Sequence, residues 1–140
     1  MKRLLSSLLL AALSATAVAQ SSSVSVDGVE DVAQYLTAVS LKRNVAASDA
    51  SVVRTRAWLD KVMKVSGEEE KSIAAACERT AHWFFDVTRV RATSLEMLEA
   101  LVLHGRAGTS IQDTLGNYVS ARRQAADNSH AAALAAMAKK

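Results

Sequence analysis

The sequence predicts an all-α fold, an antiparallel bundle of four helices, from three observations. The 140 residues contain no proline, the residue that most strongly disfavours a helix interior. Alanine and other good helix formers are abundant, and no segment shows the two-residue alternation of a half-buried strand. At 100° per residue, the apolar positions of four successive segments each fall into one stripe. Four amphipathic helices joined by short connections are typical of an antiparallel bundle.

Residues 1–19 have the pattern of a secretory signal peptide. The pattern begins with the charged residues Lys2 and Arg3 and continues with an apolar run over 4–12. The small residues Ala17-Val18-Ala19 then form a cleavage site. We therefore expect cleavage before Gln20 and a periplasmic or secreted mature protein. The alternative, a retained N-terminal anchor, is less favoured because the apolar run is shorter than the roughly 20 residues that span a membrane.

After the signal peptide, the remaining sequence is long enough for one domain, and its net charge is nearly neutral. Without residues 1–19, fifteen Lys and Arg remain against fourteen Asp and Glu, so the net charge falls from +3 to +1. A net charge this small does not indicate a nucleic-acid partner. No stretch after residue 19 has the roughly 20 consecutive apolar residues that a membrane span requires. We predict a disordered, Ser-rich leader over 20–26 and a single helical-bundle domain over 27–138.

The first two predicted helices are separated by a polar corner. Helix 1 is expected over about 27–47, and helix 2 is expected to follow the corner at Ser48–Ser51 and to reach about Val65. Their apolar stripes are Val29, Val32, Leu36 and Val39 in helix 1, and Val52, Leu59, Val62 and Met63 in helix 2.

Helix 3 is predicted to be the longest and central helix, from Glu68 to just before Gly105. The segment Thr93–Glu96 has the pattern of a capping box, so a kink near Thr93 is expected. A second capping box, Thr109–Gln112, predicts the start of helix 4, which continues to about residue 138. The apolar stripe of helix 3 contains Ile73, Cys77, Phe84, Leu95, Leu98 and Val102. The apolar stripe of helix 4 contains Ile111, Leu115, Val119, Ala126 and Ala133.

Three side chains with metal-ligand chemistry, Glu78, His82 and Asp86, recur every four residues on one face of helix 3. They form a weak candidate set for a metal, because one helix supplies three ligands only with difficulty. If Cys77 marks the centre of the apolar stripe, these residues face water, and a solvated face explains them better. No C-x-x-C-H haem motif occurs, and we predict no cofactor.

Cys77 is the only cysteine of the chain, so an internal disulfide is excluded. Two alternatives remain for an exported protein. The sulfur is either buried as a small apolar group, which is the commoner fate of a free cysteine, or it pairs with a second molecule. A dimer, including one linked through Cys77, therefore stays open.

Each of the four predicted helices places one arginine on or beside its apolar stripe, which is the strongest departure from the expected pattern. The four residues are Arg43, Arg56, Arg91 and Arg122. An unpaired buried charge is too costly to persist, so these guanidinium groups either extend past the ends of the core to water or contact something anionic. From the helical rise, Arg43 is expected near Arg56, and Arg91 near Arg122.

The sequence contains no recognisable catalytic constellation, which favours a function other than catalysis. The first hypothesis is an exported protein-binding module, such as an inhibitor, an immunity protein or an envelope adaptor. Its partner would be another protein in the envelope or outside the cell. The alternative is a bundle that binds or converts a small anionic metabolite through the four inter-helix arginines, by electrostatic positioning.

Overall fold

A computed structural model describes residues 29–139, and all of its regular secondary structure is helical. These residues form six helices rather than the four predicted, because predicted helices 3 and 4 are each divided in two. The helices are α1 Val32–Leu41, α2 Ala50–Ser66, α3 Glu70–Thr88, α4 Ser94–His104, α5 Ile111–Gln124 and α6 His130–Met137. The predicted signal peptide and leader lie outside the described residues.

The break in predicted helix 3 lies at residues 89–93, next to the expected kink at Thr93. Arg89 ends α3 in the left-handed region, with φ of 59°. Thr93 then begins α4 with a capping box, in which its hydroxyl accepts from the backbone N–H of Glu96 and the Glu96 carboxylate accepts from the N–H of Thr93. This box satisfies backbone donors that a continuous helix would bond internally, so the chain turns instead of continuing.

The break in predicted helix 4 was not anticipated. The N-cap of α5 is Ser110, one residue after the predicted N-cap Thr109, and the Ser110 hydroxyl accepts from the N–H of Asp113. It ends at Gln124, and Asn128 then adopts a left-handed φ of 51°. Ser129 caps α6 by accepting from Ala132 N–H. The polar run at 127–129 therefore starts a new helix, as short side chains that bond to the local backbone commonly do.

α1 is shorter at both ends than predicted. Asp31 caps it by accepting from Gln34 N–H, and Lys42 ends it in the left-handed region with φ of 55°. Residues 43–47, the last part of predicted helix 1, contain no helix. Asp49 then caps α2.

The core lies around α4, which contacts the other five helices. The predicted central helix is therefore central only in its second half. Most stripe positions are buried as expected, including Leu36, Leu59, Phe84 and Leu115. Trp83 and Val87 of α3 are about half exposed. No helix within residues 29–139 combines the length and the apolar character needed to cross a membrane.

Candidate functional site

The structure does not gather the four predicted arginines into one site. Arg56 forms an ion pair with Asp31 at 2.9 Å, and Arg43 lies 3.6 Å from Asp49. Both pairs are partly open to solvent, where such pairs contribute little to stability. Each of the two guanidinium groups therefore has its own carboxylate at a helix N-cap, rather than sharing an anion with the other.

Arg122 is buried, with 3% of its surface exposed. Nη1 donates to the Glu96 carboxylate at 3.0 Å and to the Tyr118 hydroxyl at 2.7 Å. Nε donates to the carbonyl of Asn128 at 2.7 Å, and Nη2 donates to the carbonyl of Arg91 at 3.2 Å. Its guanidinium carbon also lies 4.9 Å from the centre of the Phe84 ring. The charge is thus paired within the chain and does not extend to water, contrary to the first of the two expectations.

The polar network around Arg122 continues into α6. The Tyr118 hydroxyl lies 2.8 Å from Nδ1 of His130, and Nε2 of His130 lies 2.9 Å from the Glu99 carboxylate. The Tyr118 oxygen also accepts from Arg122, so the His130 ring joins the Arg122 contacts to the Glu99 carboxylate. This arrangement connects α4, α5 and α6.

This network is structural, because its central groups are closed to solvent. Tyr118 is completely buried, and burial raises its pKa to about 12, against the opposite effect of Arg122. No buried side-chain nitrogen or oxygen in the described residues lacks a hydrogen-bond partner. Arg122 uses four of its five N–H donors within the chain, and its role is to hold α4, α5 and the 125–129 turn together.

Arg91 lies in the link between α3 and α4, not on a helical stripe. The prediction that it would lie near Arg122 is met only through its backbone carbonyl. Its side chain is exposed and forms no hydrogen bond or ion pair with residues 29–139. Arg91 is thus the one predicted arginine whose charge remains available.

The Arg91 side chain lines a groove of about 350 Å³ between the end of α1, α3 and the 89–93 link. We call it the Arg91 groove and define it by Val39, Lys42, His82, Phe85 and Arg91. Val39 and Phe85 are 44% and 39% exposed, so apolar surface is open to solvent there. Within the part of the chain that the structure describes, no aspartate or glutamate lines the groove. It combines exposed apolar side chains with uncompensated positive charge.

The candidate metal ligands do not converge. The Tyr35 hydroxyl donates to the Glu78 carboxylate at 2.8 Å, and burial together with this bond raises the pKa of Tyr35 to about 12. His82 lines the Arg91 groove, and Asp86 is exposed. Across residues 29–139, no group of three or more His, Cys, Asp or Glu side chains could hold a metal ion.

Cys77 is completely buried. Burial raises the pKa of its thiol to about 12, so the sulfur is neither accessible nor ionised near neutral pH. Cys77 therefore packs as a small apolar residue of the core, the first of the two alternatives.

Comparison with known proteins gives no relative: no family model, no curated protein and no solved structure matches this chain. The sequence made Arg91 a candidate but did not indicate that Lys42 and Phe85 would be its neighbours in the groove. The signal for Phe85 was weak, namely a large aromatic residue one position beyond the apolar stripe at Phe84. Lys42 gave no signal, because its place depends on where α1 ends.

Proposed function

We propose that this protein is an exported protein-binding module and that the Arg91 groove is its contact surface. The observation that carries the proposal is the groove itself, in which Val39 and Phe85 expose apolar surface beside the unpaired charges of Lys42 and Arg91. Binding surfaces commonly place an apolar centre beside polar groups, with aromatic and arginine side chains enriched.

The charge of the groove selects the chemistry of the partner. Lys42 and Arg91 carry positive charge, and no described carboxylate lines the groove to neutralise them. An acidic segment with an apolar side chain would pair its carboxylate with Arg91 and cover Phe85. Electrostatic complementarity of this kind favours correct partners and accelerates encounter.

The left-handed backbone at Lys42 fixes where α1 ends and so places this charge at the groove. Lys42 holds φ of 55°, as Arg89 does at the end of α3 with φ of 59°, a conformation that glycine adopts more readily than side chains with a Cβ. A glycine would end α1 with less strain, as Gly67 does for α2 at φ of 72°.

The alternative function, a metabolite site made by the four inter-helix arginines, has less support from these contacts. Arg43, Arg56 and Arg122 each have a carboxylate partner within the chain. Only Arg91 remains for an anion, and one guanidinium does not provide the multiple contacts that would position a reacting dianion.

Export is part of the proposal and rests on the signal-peptide pattern of residues 1–19. The mature protein should begin at Gln20 and should be found in the periplasm or outside the cell. N-terminal sequencing of the protein from its native cells tests this. Recovery of a chain that still begins at residue 1 would refute processing.

Binding is tested by capture from envelope and extracellular extracts with immobilised protein and three variants. Arg91→Glu reverses the charge of the groove and should abolish capture of an acidic partner. Lys42→Gly removes a charge and relieves the left-handed strain, so capture should weaken while thermal stability stays equal or rises. Arg106→Glu, in the exposed α4–α5 loop, is the matched control and should capture the partner as the wild type does.

The salt dependence of capture provides a further criterion. Raising NaCl from about 0.15 M to about 0.5 M shortens the screening length and should release the partner. If a protein is captured equally by wild type and Arg91→Glu, the Arg91 groove is not the contact surface. If Arg106→Glu loses capture as well, the interaction reflects overall charge and the proposed site is wrong.

A further inference from the structure

A second groove, of about 370 Å³, lies between α3 and α5. We call it the α3–α5 groove and define it by Arg79 and Trp83 of α3 and Gly116, Ser120 and Arg123 of α5. None of its lining residues lines the Arg91 groove. Its volume falls within the range of small-molecule sites.

Two guanidinium groups at this groove lack partners. Neither Arg79 nor Arg123 forms a side-chain hydrogen bond or an ion pair with residues 29–139. Both side chains are exposed, and no described aspartate or glutamate lines the groove. Each guanidinium is therefore free to bind a carboxylate through two parallel N–H donors.

Trp83 gives the groove an aromatic surface. Its side chain is 48% exposed, although tryptophan contributes most to stability when its large apolar area is buried. The exposed indole face offers a stacking surface for a planar ring. Trp83 lies one helical turn after Arg79, so the two side chains project from the same side of α3.

Gly116 keeps the groove open. It lies inside α5, where glycine is less favourable than alanine because it loses more conformational freedom on folding. A Cβ at Gly116 would meet no atom within 4 Å, whereas one at Gly105 would lie 2.5 Å from the carbonyl oxygen of Leu101. The fold therefore has no steric need for glycine at position 116. Open space beside Trp83 is what the missing side chain provides.

We infer that the α3–α5 groove binds a small aromatic carboxylate, with Arg79 and Arg123 holding the carboxylate groups and Trp83 stacking on the ring. The unpaired guanidinium groups select the anion, the indole selects a planar ring, and Gly116 leaves room for it. This inference is independent of the protein-binding function proposed for the Arg91 groove, because the two grooves share no lining residue.

The test is a titration of the ¹⁵N-labelled mature protein with isophthalate, an aromatic dicarboxylate, followed by NMR and calorimetry. The chain has two tryptophans, so Trp58 serves as an internal control. The indole N–H signal of Trp83 should shift and saturate, while that of Trp58 should not. Cyclohexane-1,3-dicarboxylate, which has similar charges but no aromatic ring, should bind at least about tenfold more weakly.

Variants separate the site from general charge effects. Arg79→Gln and Arg123→Gln should each weaken isophthalate binding by about tenfold or more. Gly116→Leu should fill the groove and abolish binding in a folded protein, whereas Gly116→Ala should raise thermal stability. Arg91→Gln, in the other groove, should leave isophthalate binding unchanged.

Three results would overturn the inference. The first is no saturable shift of the Trp83 signal up to about 10 mM isophthalate. The second is unchanged binding by folded Gly116→Leu, which would place the ligand elsewhere. The third is equal affinity for the cyclohexane compound, which would remove the stacking contact. None of these results would affect capture through the Arg91 groove, so the two proposals fail separately.

Discussion

Replacing Arg122 by methionine should strongly destabilise the protein, and the same replacement at Arg91 should not. Methionine keeps much of the apolar stem of arginine and removes the charge and all donors. At position 122 it leaves the Tyr118 hydroxyl and the carbonyls of Asn128 and Arg91 without their donor. At position 91 the side chain is exposed and has no bond to lose.

The expected loss at position 122 follows from these contacts. A hydrogen bond to a charged group contributes about 1.5–3 kcal/mol, and stranding a buried partner costs about 1–3 kcal/mol. Glu96 is partly exposed, so water replaces some of what its carboxylate loses, and the ion pair adds less than a fully buried one. Loss of the contact with the Phe84 ring adds about 0.5–1 kcal/mol. We expect a net destabilisation of about 3 kcal/mol for Arg122→Met.

Urea denaturation followed by circular dichroism measures this difference. Arg122→Met should lower the free energy of unfolding by about 3 kcal/mol, or the thermal midpoint by roughly 12 °C. Arg122→Lys should also destabilise the fold, because three donors on a flexible stem cannot serve four acceptors. Arg91→Met should remain within about 0.5 kcal/mol of wild type. A change below about 1 kcal/mol for Arg122→Met would show that the network does not stabilise the fold.

The remaining predictions concern the core and the helix caps. Cys77 should not react with a thiol reagent at pH 8 in the folded protein but should react fully in urea; rapid native reaction would contradict its burial. Tyr35 and Tyr118 titrate near 12 when folded but near 10 when unfolded, so both favour folding below pH 10. That contribution to the free energy of unfolding should decline as the pH rises from about 10 to 12. In a pH titration, phenolate absorbance should then appear together with unfolding. Phenolate absorbance that appears near pH 10 while the protein is still folded would refute this prediction. Thr93→Ala should cost about 1 kcal/mol by removing the cap of α4, and no change in urea midpoint would exclude that role.

The helix boundaries were predictable where a local signal existed. The Thr93 capping box was visible because its four residues satisfy one another within a single turn. The break after Gln124 was missed, since alanine-rich residues on both sides have strong helix propensity. There the turn is held by Nε of Arg122, in the last turn of α5, which donates to the Asn128 carbonyl. The same guanidinium also donates to Glu96 of α4, and a local pattern cannot show that long-range contact.

For the two grooves as well, the sequence indicated some of the lining residues and only the packing of the helices decided the others. Arg91 became a candidate because its position was assigned to the apolar stripe of helix 3, and that premise was wrong, since Arg91 lies in the link between α3 and α4. Its neighbours in the groove were not identifiable, because Lys42 and Phe85 come together only when α1 ends where it does and α3 packs beside it. Arg79 and Arg123 are forty-four residues apart along the chain, and only the packing of α3 against α5 places both at one groove.

The sequence by itself determined the all-helical class, the cap at Thr93 and most of the buried stripe, because these depend on propensity and periodicity within a few residues. Tertiary structure alone decided which arginines are neutralised. Arg122 and Arg91 were equivalent as interruptions of apolar stripes, but Arg122 meets Glu96 and Tyr118, while Arg91 falls in a link that faces solvent. The fate of a charge depends on partners brought from distant parts of the chain, and these are fixed by packing rather than by local sequence.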